Sequence, residues 1–228
     1  MGRVLIVAAH PDDEVLGCGG TIARHIDEGD DICVIFLADG EASRISIPET
    51  LLSPNTLQKR RSAAKSACGV LGVENLQFFD FPDNGMDTVP LLKVTQCVEA
   101  VVNEYRPETV YTHHGGDLNI DHRICHQAVI TACRPMPGSA VKEILTFEVL
   151  SSTEWSSPSI GPAFNPNCYI DINATFEKKL DALRCYDDEM RDFPHSRSYE
   201  NVKHLAAYRG GSTGINLAEA FYIERALR

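Results

Sequence analysis

Short apolar runs alternate with longer amphipathic segments through the first part of this chain. Each run has the length of a buried strand, and each segment between runs has the apolar spacing of a helix. This alternation is typical of parallel βαβ units. The predicted strands are residues 4–8, 32–37, 76–79 and 109–112, and the predicted helices are residues 15–28, 57–71, 91–105 and about 121–133. We therefore predict a Rossmann-like α/β fold: a doubly wound, mostly parallel sheet with helices on both faces.

The rest of the chain extends this pattern without starting a second unit. We predict a strand at residues 144–149, an edge strand at 167–172 and a helix from 175 toward 190. Gly210, Gly211 and Gly214 should end any helix there and form a turn before residues 218–221. The Pro- and Ser-rich stretch at residues 151–166 looks like a loop, and no repeat is visible. Residues 1–228 are therefore expected to form a single domain.

The charge and hydropathy of the chain argue against two classes of binding partner, nucleic acid and the membrane interior. The net charge of −11 opposes binding to nucleic acid. No apolar stretch approaches the ~20 residues of a membrane span, and the chain opens on a strand-like run rather than a signal peptide. We expect a cytoplasmic protein that is not an integral membrane protein. The eight cysteines are scattered without a CxxC pair, which predicts reduced, buried thiols.

An acidic cluster follows the first predicted strand. Residues 9–14 read Ala-His-Pro-Asp-Asp-Glu, which puts one imidazole and three carboxylates at a strand end, where open parallel sheets bind ligands. A single carboxylate, Asp12 or Asp13, is equally well explained as the N-cap of the next helix. Three carboxylates beside a histidine repel one another unless a cation or hydrogen bonds neutralise them. The cluster therefore favours a metal site.

A second polar cluster follows the strand predicted at residues 109–112. Residues 113–122 read His-His-Gly-Gly-Asp-Leu-Asn-Ile-Asp-His, and this cluster should lie at the same edge of the sheet as the first. Two histidines and one carboxylate from separate loops make a three-ligand site with open positions, the arrangement of catalytic zinc. Fe²⁺ or another divalent ion accepts similar ligands. The sequence thus predicts a metal centre, with Zn²⁺ as the first candidate.

Together the two clusters resemble the signature of the LmbE-like, or PIG-L, family of zinc-dependent N-deacetylases. In that family the run seen at residues 9–14 is followed far downstream by Asp-His, here Asp121 and His122. Other stretches look like landmarks of the family in the expected order, namely residues 71–73, 81–83, 194–198, 209–210 and 218–221. The resemblance spans most of the chain.

This resemblance implies a role for each residue of the site. His10, Asp13 and His122 would be the Zn²⁺ ligands, and Asp12 would be the general base. The implied reaction removes the acetyl group from an N-acetylated amino sugar of the N-acetylglucosamine type, releasing acetate and a free amine. The sugar would be free, nucleotide-linked or lipid-linked, and the resemblance is compatible with a homo-oligomer.

The downstream motif departs from one branch of the family at a single position. That branch has His-Pro-Asp-His where this chain has Asn119-Ile120-Asp121-His122. In relatives, this histidine is thought to help protonate the leaving group or orient the intermediate. Here His114, His195 or Asn119 would take over that role. We expect Asp121 to orient a neighbouring imidazole, since metal-bound histidines usually donate their other nitrogen to a carboxylate or carbonyl. The alternative for Asp121 is a helix N-cap.

Cationic and aromatic side chains are further candidates for contacts with the substrate. A sugar carrying phosphate or a nucleotide needs cationic donors, and the candidates are Arg61, at a position where the family often has an arginine, and Arg134, His195 and Arg197. Surface charge explains these residues equally well. Trp155 and Tyr199 would stack on a sugar ring or pack in the core.

Three other functions compete with this interpretation. The glycines at residues 17–20 lack the spacing and position of a dinucleotide-binding loop, and an acidic run stands where a pyrophosphate would bind. A non-catalytic zinc-binding protein of the same fold would not need Asp12. An amidase acting on a different small N-acyl conjugate would use the same residues, so the sequence does not separate it from a sugar deacetylase.

Overall fold

The computed structural model describes residues 2–38 and 54–228. Within them, seven strands form one sheet in the order β3-β2-β1-β4-β5-β7-β6. The strands are β1 Arg3–Ala8, β2 Asp31–Ala38, β3 Asn75–Phe81, β4 Thr109–His113, β5 Glu143–Phe147, β6 Cys168–Asp171 and β7 Ala218–Ala226. The helices are α1 Asp13–Asp27, α2 Pro54–Leu71, α3 Leu91–Tyr105, α4 Ile120–Ala132, α5 Phe176–Arg184 and α6 Tyr199–Gly211, with short 3₁₀ helices at Met86–Thr88, Thr153–Trp155 and Asp187–Glu189.

The sheet is mostly parallel, as predicted. Strands β1 to β5 pair in parallel, whereas β7 runs antiparallel to both β5 and β6. The winding starts at β1 and continues to β2 and β3 on one side and to β4 and β5 on the other. The switch point of the sheet therefore lies between β1 and β4, which are the two strands that precede the polar clusters.

Helices cover both faces of the sheet, which confirms the predicted layers. The side chains of β1 alternate between the two faces, so that Val4 and Ile6 enter one apolar core and Leu5 and Val7 enter the other. The first core holds apolar residues of α1, α2 and α5, and the second holds those of α3 and α4. Burial on both faces explains why the central strands are continuously apolar.

The later elements differ from the prediction at their ends. The helix predicted to run toward residue 190 ends at Arg184, because the chain turns there and the Tyr186 hydroxyl donates to Glu14 Oε1 at 2.7 Å. Helix α6, by contrast, ends at Gly211, inside the glycine cluster predicted to end a helix, and a side chain at Gly210 would lie 2.5 Å from the carbonyl oxygen of Ile215. Strand β7 then runs from Ala218 to Ala226, where the sequence predicted only a turn before residues 218–221.

Two further expectations concern membranes and thiols. No helix within residues 2–38 and 54–228 combines the length and the apolar composition that crossing a bilayer requires. All eight cysteines are free, as predicted, but Cys97, Cys168 and Cys185 are partly exposed rather than buried.

Helix α1 is broken in its middle, and a buried ion pair fills the break. Cys18 leaves the helical region with φ −149° and ψ 23°. Glu219 accepts hydrogen bonds from the backbone N–H of Gly20 at 3.0 Å and of Thr21 at 2.7 Å, and the Lys179 ammonium donates to the Leu16 carbonyl at 2.9 Å. Lys179 and Glu219 are themselves 2.5 Å apart. The ion pair therefore supplies partners for three backbone groups of this turn, the N–H groups of Gly20 and Thr21 and the carbonyl of Leu16.

Candidate active site

The turns after β1 and β4 bring the two polar clusters together. Asp13 Oδ2 lies 3.3 Å from His10 Nδ1 and 3.3 Å from His122 Nε2. The two imidazole rings are 5.6 Å apart, centre to centre. All three side chains are at least nine-tenths buried. Residues more than a hundred positions apart in the sequence thus share one point at the edge of the sheet.

The three side chains match the donor set of a divalent cation. One ligand atom from each of His10, Asp13 and His122 lies within 4.8 Å of the other two. A tetrahedral zinc ion with bonds of about 2.0–2.1 Å places its donors about 3.3–3.4 Å apart, close to the distances seen here. Two imidazoles and one carboxylate also leave a position for water or substrate. The site therefore fits the metal that the sequence predicts.

Carboxylates behind His10 fix the orientation of its ring. Asp121 Oδ2 lies 2.9 Å and Asp83 Oδ1 3.1 Å from His10 Nε2, so Nδ1 is the nitrogen that faces Asp13. Asp121 also accepts hydrogen bonds from the backbone N–H groups of Asn84 at 2.6 Å and Met86 at 3.0 Å. Although burial opposes the charged imidazolium, these carboxylates raise the pKa of His10 well above its usual range. Asp121 thus occupies the position expected of a residue that orients an imidazole.

A second carboxylate stands behind His122. Asp117 Oδ1 lies 3.1 Å from His122 Nδ1, which leaves Nε2 facing Asp13. Asp117 is held in turn by the hydroxyl groups of Ser152 and Thr153. Burial lowers the pKa of His122, but Asp13 and Asp117 outweigh burial and raise it to about 9. Each histidine of the cluster therefore has its own carboxylate partner on the side away from Asp13.

His113, at the end of β4, lies beside the other two imidazoles, with its Nε2 3.5 Å from Asp13 Oδ2. Its Nε2 accepts a hydrogen bond from the backbone N–H of Ala9 at 2.8 Å, so the neutral ring carries its proton on Nδ1. Burial and the neighbouring His122 lower the pKa of His113 well below its usual range. Although burial opposes ionisation of Asp13, His122 and His113 hold the pKa of this carboxyl well below its usual range. The centre is built around an ionised Asp13.

Asp12 faces the same space from a left-handed backbone conformation. Its φ is 108°, which is unusual for a residue with a side chain. Its backbone N–H donates to Glu14 Oε2 at 3.0 Å. Two guanidinium groups contact Asp12 Oδ2, Arg60 at 3.1 Å and Arg197 at 2.8 Å. This residue is the N-cap of α1, but its side chain makes no capping hydrogen bond. The side chain is therefore turned toward the site rather than toward the helix.

Arg60 is a site residue that the sequence analysis missed in favour of its neighbour. Arg60 is 5% exposed and also donates to the Pro11 carbonyl at 2.7 Å. Arg61 lies about 100° further around the same helix and pairs with the exposed Asp80. The structure thus places Arg61 outside the site. The buried apolar positions four, seven and eleven residues after Arg60 put it, and not Arg61, on the helix face that enters the core, so the apolar spacing of α2 was a local signal for this choice.

Of the other residues predicted to contact the substrate, some line the cavity and some do not. Arg197 and Asn119 line the cavity beside the cluster. His114 Nε2 lies 2.8 Å from the Pro162 carbonyl oxygen, and Arg134 is mostly exposed beside Glu99. His195 packs edge-on against Trp155. The cavity lining includes none of His114, Arg134 and His195.

A small polar cavity joins these groups. Its volume is about 80 Å³, and its walls come from the turns after β1, β3, β4 and β5, from helix α2 and from the segment before α6. It is lined by His10, Asp12, Asp13, Arg60, Asp83, Asn84, Asn119, His122, Ser151, Ser152 and Arg197. Of the lining residues that were not predicted from the sequence, only Asp83 lies in a stretch that looks like a family landmark, residues 81–83. A cavity of this composition suits a polar substrate group.

Asn119, and not Asp121, is the N-cap of helix α4. Its side chain accepts a hydrogen bond from the backbone N–H of Asp121 at 2.8 Å and is the N-cap of α4. Its amide nitrogen donates to Asn84 Oδ1 at 3.0 Å. Asp121 is therefore not the cap, and its carboxylate is free to serve His10.

Comparison with known proteins gives one family and a consistent set of relatives. The PIG-L family, described as GlcNAc-PI de-N-acetylase, matches residues 5–133. The probable N-acetyl-alpha-D-glucosaminyl L-malate deacetylase 2 of Bacillus cereus is 27% identical over 202 residues, which cover 86% of this chain and 88% of that protein. The family match over residues 5–133 includes both polar clusters.

Solved structures share the whole fold. N,N'-diacetylchitobiose deacetylase from Pyrococcus horikoshii superposes with a TM-score of 0.78 at 20% identity, covering 98% of this chain and 84% of that one. GalB, a 4-carboxy-2-hydroxymuconate hydratase from Pseudomonas putida, superposes with a TM-score of 0.75 at 22% identity, covering 98% and 96%. At these identities the likeness shows the fold and leaves the reaction open.

Proposed function

Because this chain belongs to the PIG-L family of GlcNAc-PI de-N-acetylases, we propose that it is a zinc-dependent hydrolase of N-acetylated amino sugars. The reaction would remove the acetyl group of an N-acetylglucosamine-type unit and release acetate and a free amine. The observation that carries this proposal is the contact of one carboxylate oxygen, Asp13 Oδ2, with two imidazoles at 3.3 Å beside the carboxylate of Asp12.

His10, Asp13 and His122 would hold the metal. Bound Zn²⁺ would lower the pKa of water in the site and polarise the carbonyl of the amide. Asp121 and Asp117 keep the two histidines turned so that Nδ1 of His10 and Nε2 of His122 point toward Asp13. Such carboxylate partners fix the tautomer of the ligand and increase its basicity.

Asp12 is the proposed general base. Arg60 and Arg197 both contact its Oδ2 oxygen and so anchor that oxygen. We assign the acceptance of the proton from the attacking water to its Oδ1 oxygen. A carboxylate held in this way contributes by position as well as by basicity.

The leaving amine needs a proton, and Asp12 is also the group proposed to supply it. Asn119 stands where one branch of the family has a histidine, and the lining of the cavity includes neither His114 nor His195. The proton that Asp12 takes from water would pass to the nitrogen as the C–N bond breaks. Asn119 and Asn84, which are hydrogen-bonded to each other, would contact the sugar as neutral partners.

The charge balance of the cavity favours a neutral sugar over a phosphorylated one near the amide. Arg60 and Arg197 already pair with Asp12, and Arg60 also pairs with Glu189. A phosphate at this point would have to compete with those carboxylates. The substrates named for two relatives, an N-acetylglucosaminyl malate and a diacetylated chitobiose, share an N-acetylated glucosamine unit without phosphate.

Acetate release from a panel of sugars tests the proposal. The zinc-loaded protein is offered free N-acetylglucosamine, N,N'-diacetylchitobiose, and nucleotide-linked and lipid-linked N-acetylglucosamine, and acetate is measured with and without a chelator. We expect release that stops on chelation and returns with zinc. Zinc binding without release from any of these sugars would favour a non-catalytic protein or another reaction class, such as the hydration that the same fold performs in GalB.

A further inference from the structure

Two segments of the chain meet at the rim of the cavity. Arg197, which reaches Asp12 through Nη1, donates from Nε to the Ser151 hydroxyl at 3.0 Å. Glu154 accepts from the Ser151 backbone N–H at 2.7 Å and from the Ser196 hydroxyl. Ser151 and Arg197 both line the cavity. The turn at residues 151–155 and the segment at 195–197 thus form one wall that continues outward from the site.

The sole tryptophan of the chain stands on this wall. Trp155 ends the 3₁₀ helix Thr153–Trp155, and its backbone N–H bonds to the carbonyl of the cavity-lining Ser152 at 3.2 Å. Its side chain is 53% exposed. The His195 ring packs against it edge-on at 5.7 Å, and His195 is held by a 3.0 Å hydrogen bond from the Arg197 backbone N–H to Nδ1. The indole is therefore supported on one side and open to solvent on another.

Because the cavity is small, part of a larger substrate must lie outside it, near this indole. About 80 Å³ accepts only a few water molecules, so the cavity has room for the acetamido group but not for a whole disaccharide. Any conjugate that places its amide beside Asp12 must extend past the rim. An aromatic face at that rim suits the C–H face of a pyranose ring, because indole offers a large apolar surface with a polar edge.

We infer that Trp155, supported by His195, is a stacking platform for a second sugar ring attached to the N-acetylated unit that enters the cavity. The inference rests on the proposed function and sharpens it, since it makes a glycoside of N-acetylglucosamine a better substrate than the free monosaccharide. Trp155 would set specificity for the far part of the substrate and take no part in the chemistry.

The single tryptophan supplies a direct measurement of binding. Zinc-loaded Asp12→Asn protein, which should bind without hydrolysis, is titrated with N,N'-diacetylchitobiose and with N-acetylglucosamine while tryptophan emission and its quenching by iodide are followed. We expect the disaccharide to shift the emission and protect Trp155 from iodide, at concentrations about tenfold lower than the monosaccharide needs for any effect.

Kinetics of the active protein give a second, independent readout. In Trp155→Ala, the ratio of kcat/KM for the disaccharide to kcat/KM for the monosaccharide should fall about tenfold, mainly through KM for the disaccharide. Trp155→Phe should recover most of the ratio because it keeps an aromatic face. Met136→Ala is the matched control, since it removes a 63% exposed apolar side chain between α4 and β5, at the opposite edge of the sheet.

The outcomes separate the platform from the proposed function. Disaccharide hydrolysis with unchanged emission and an unchanged ratio in Trp155→Ala would overturn the platform and leave the function standing. Saturable protection of Trp155 without acetate release from any sugar would support the platform and overturn the function. No protection and no hydrolysis would overturn both.

Discussion

Helix α1 carries one group of buried charge at its start and another at its central break, and the two groups differ in the partners of their charged atoms. At the break of the helix, Glu219 bonds to two backbone N–H groups and to Lys179, and Lys179 bonds to a backbone carbonyl. At the start of the helix, Asp13 faces His10 and His122 across one small volume that opens into a cavity. The first group is closed by protein atoms alone, whereas the second presents three donor atoms to a common point.

The contrast explains why buried charge alone does not identify a functional site. In an unbroken helix the Gly20 N–H would bond to the Leu16 carbonyl. Here Glu219 takes the N–H and Lys179 takes the carbonyl, so the ion pair replaces the bond that the break removes. The cluster at His10, Asp13 and His122 replaces no backbone bond. Its three donor atoms instead face one point, as the metal site proposed above requires.

The largest effect on stability should come from opening the ion pair. Glu219→Ala leaves the Lys179 ammonium buried without its carboxylate and should lower the free energy of unfolding by about 3–5 kcal/mol, measured by urea denaturation. The double variant Glu219→Leu with Lys179→Met is the control and should lose less, because it buries no unpaired charge. A loss below about 1 kcal/mol in Glu219→Ala would show that the pair is not a structural unit.

The second prediction separates catalysis from metal binding at the other group. Asp12→Asn keeps the shape of the side chain and its place beside Arg60 and Arg197, but it removes the base. Acetate release should fall by about 10²-fold or more, while zinc content stays that of the unmodified protein. Near-normal turnover in Asp12→Asn would remove Asp12 from its proposed role.

Asp117 tests whether the carboxylate behind His122 matters. Asp117→Asn keeps a partner for the Ser152 and Thr153 hydroxyls but weakens the hold on His122 Nδ1. Zinc affinity should drop by about 10- to 100-fold, the usual cost of losing such a partner, measured by competition with a chromophoric chelator. Unchanged affinity with unchanged folding would mean that His122 is oriented by packing alone.

The smallest effect is expected at Arg61, next to a residue of the site. Arg61→Ala removes an exposed pair with Asp80. The activation free energy of kcat/KM and the free energy of unfolding should each change by less than about 0.5 kcal/mol. Arg60→Ala, by contrast, should lower kcat because Asp12 loses one of its two guanidinium partners. Equal effects of the two substitutions would contradict the assignment of Arg60 to the site.

The parts of the site predicted from sequence are those that depend on strand order. His10, Asp12, Asp13 and His122 follow strands whose ends meet at one edge in a parallel sheet, so local patterns were enough to bring them together. Arg60 could also have been found locally, because it shares a helix face with the buried apolar residues four, seven and eleven positions later. The end of α5 could not, because it goes with a contact between Tyr186 and Glu14, which lie 172 residues apart in the sequence. Helix α6 ends within the glycine cluster, as predicted.

The ion pair was outside the reach of local patterns for a related reason. Glu219 lies about two hundred residues from the backbone groups it caps. Residues 218–221 look like a family landmark, but a sequence motif does not show which residues its side chains contact. Only the packing of β7 beside α1 shows that this carboxylate completes a broken helix.

The central claim is that His10, Asp13 and His122 bind one divalent ion. Zinc bound per chain after equilibrium dialysis, measured by atomic emission in the unmodified protein and in His122→Ala, tests it most directly. We predict one tightly bound zinc per chain in the unmodified protein and loss of most of it in a folded His122→Ala variant, together with acetate release. Zinc bound equally well by both proteins, or by neither, would contradict the account.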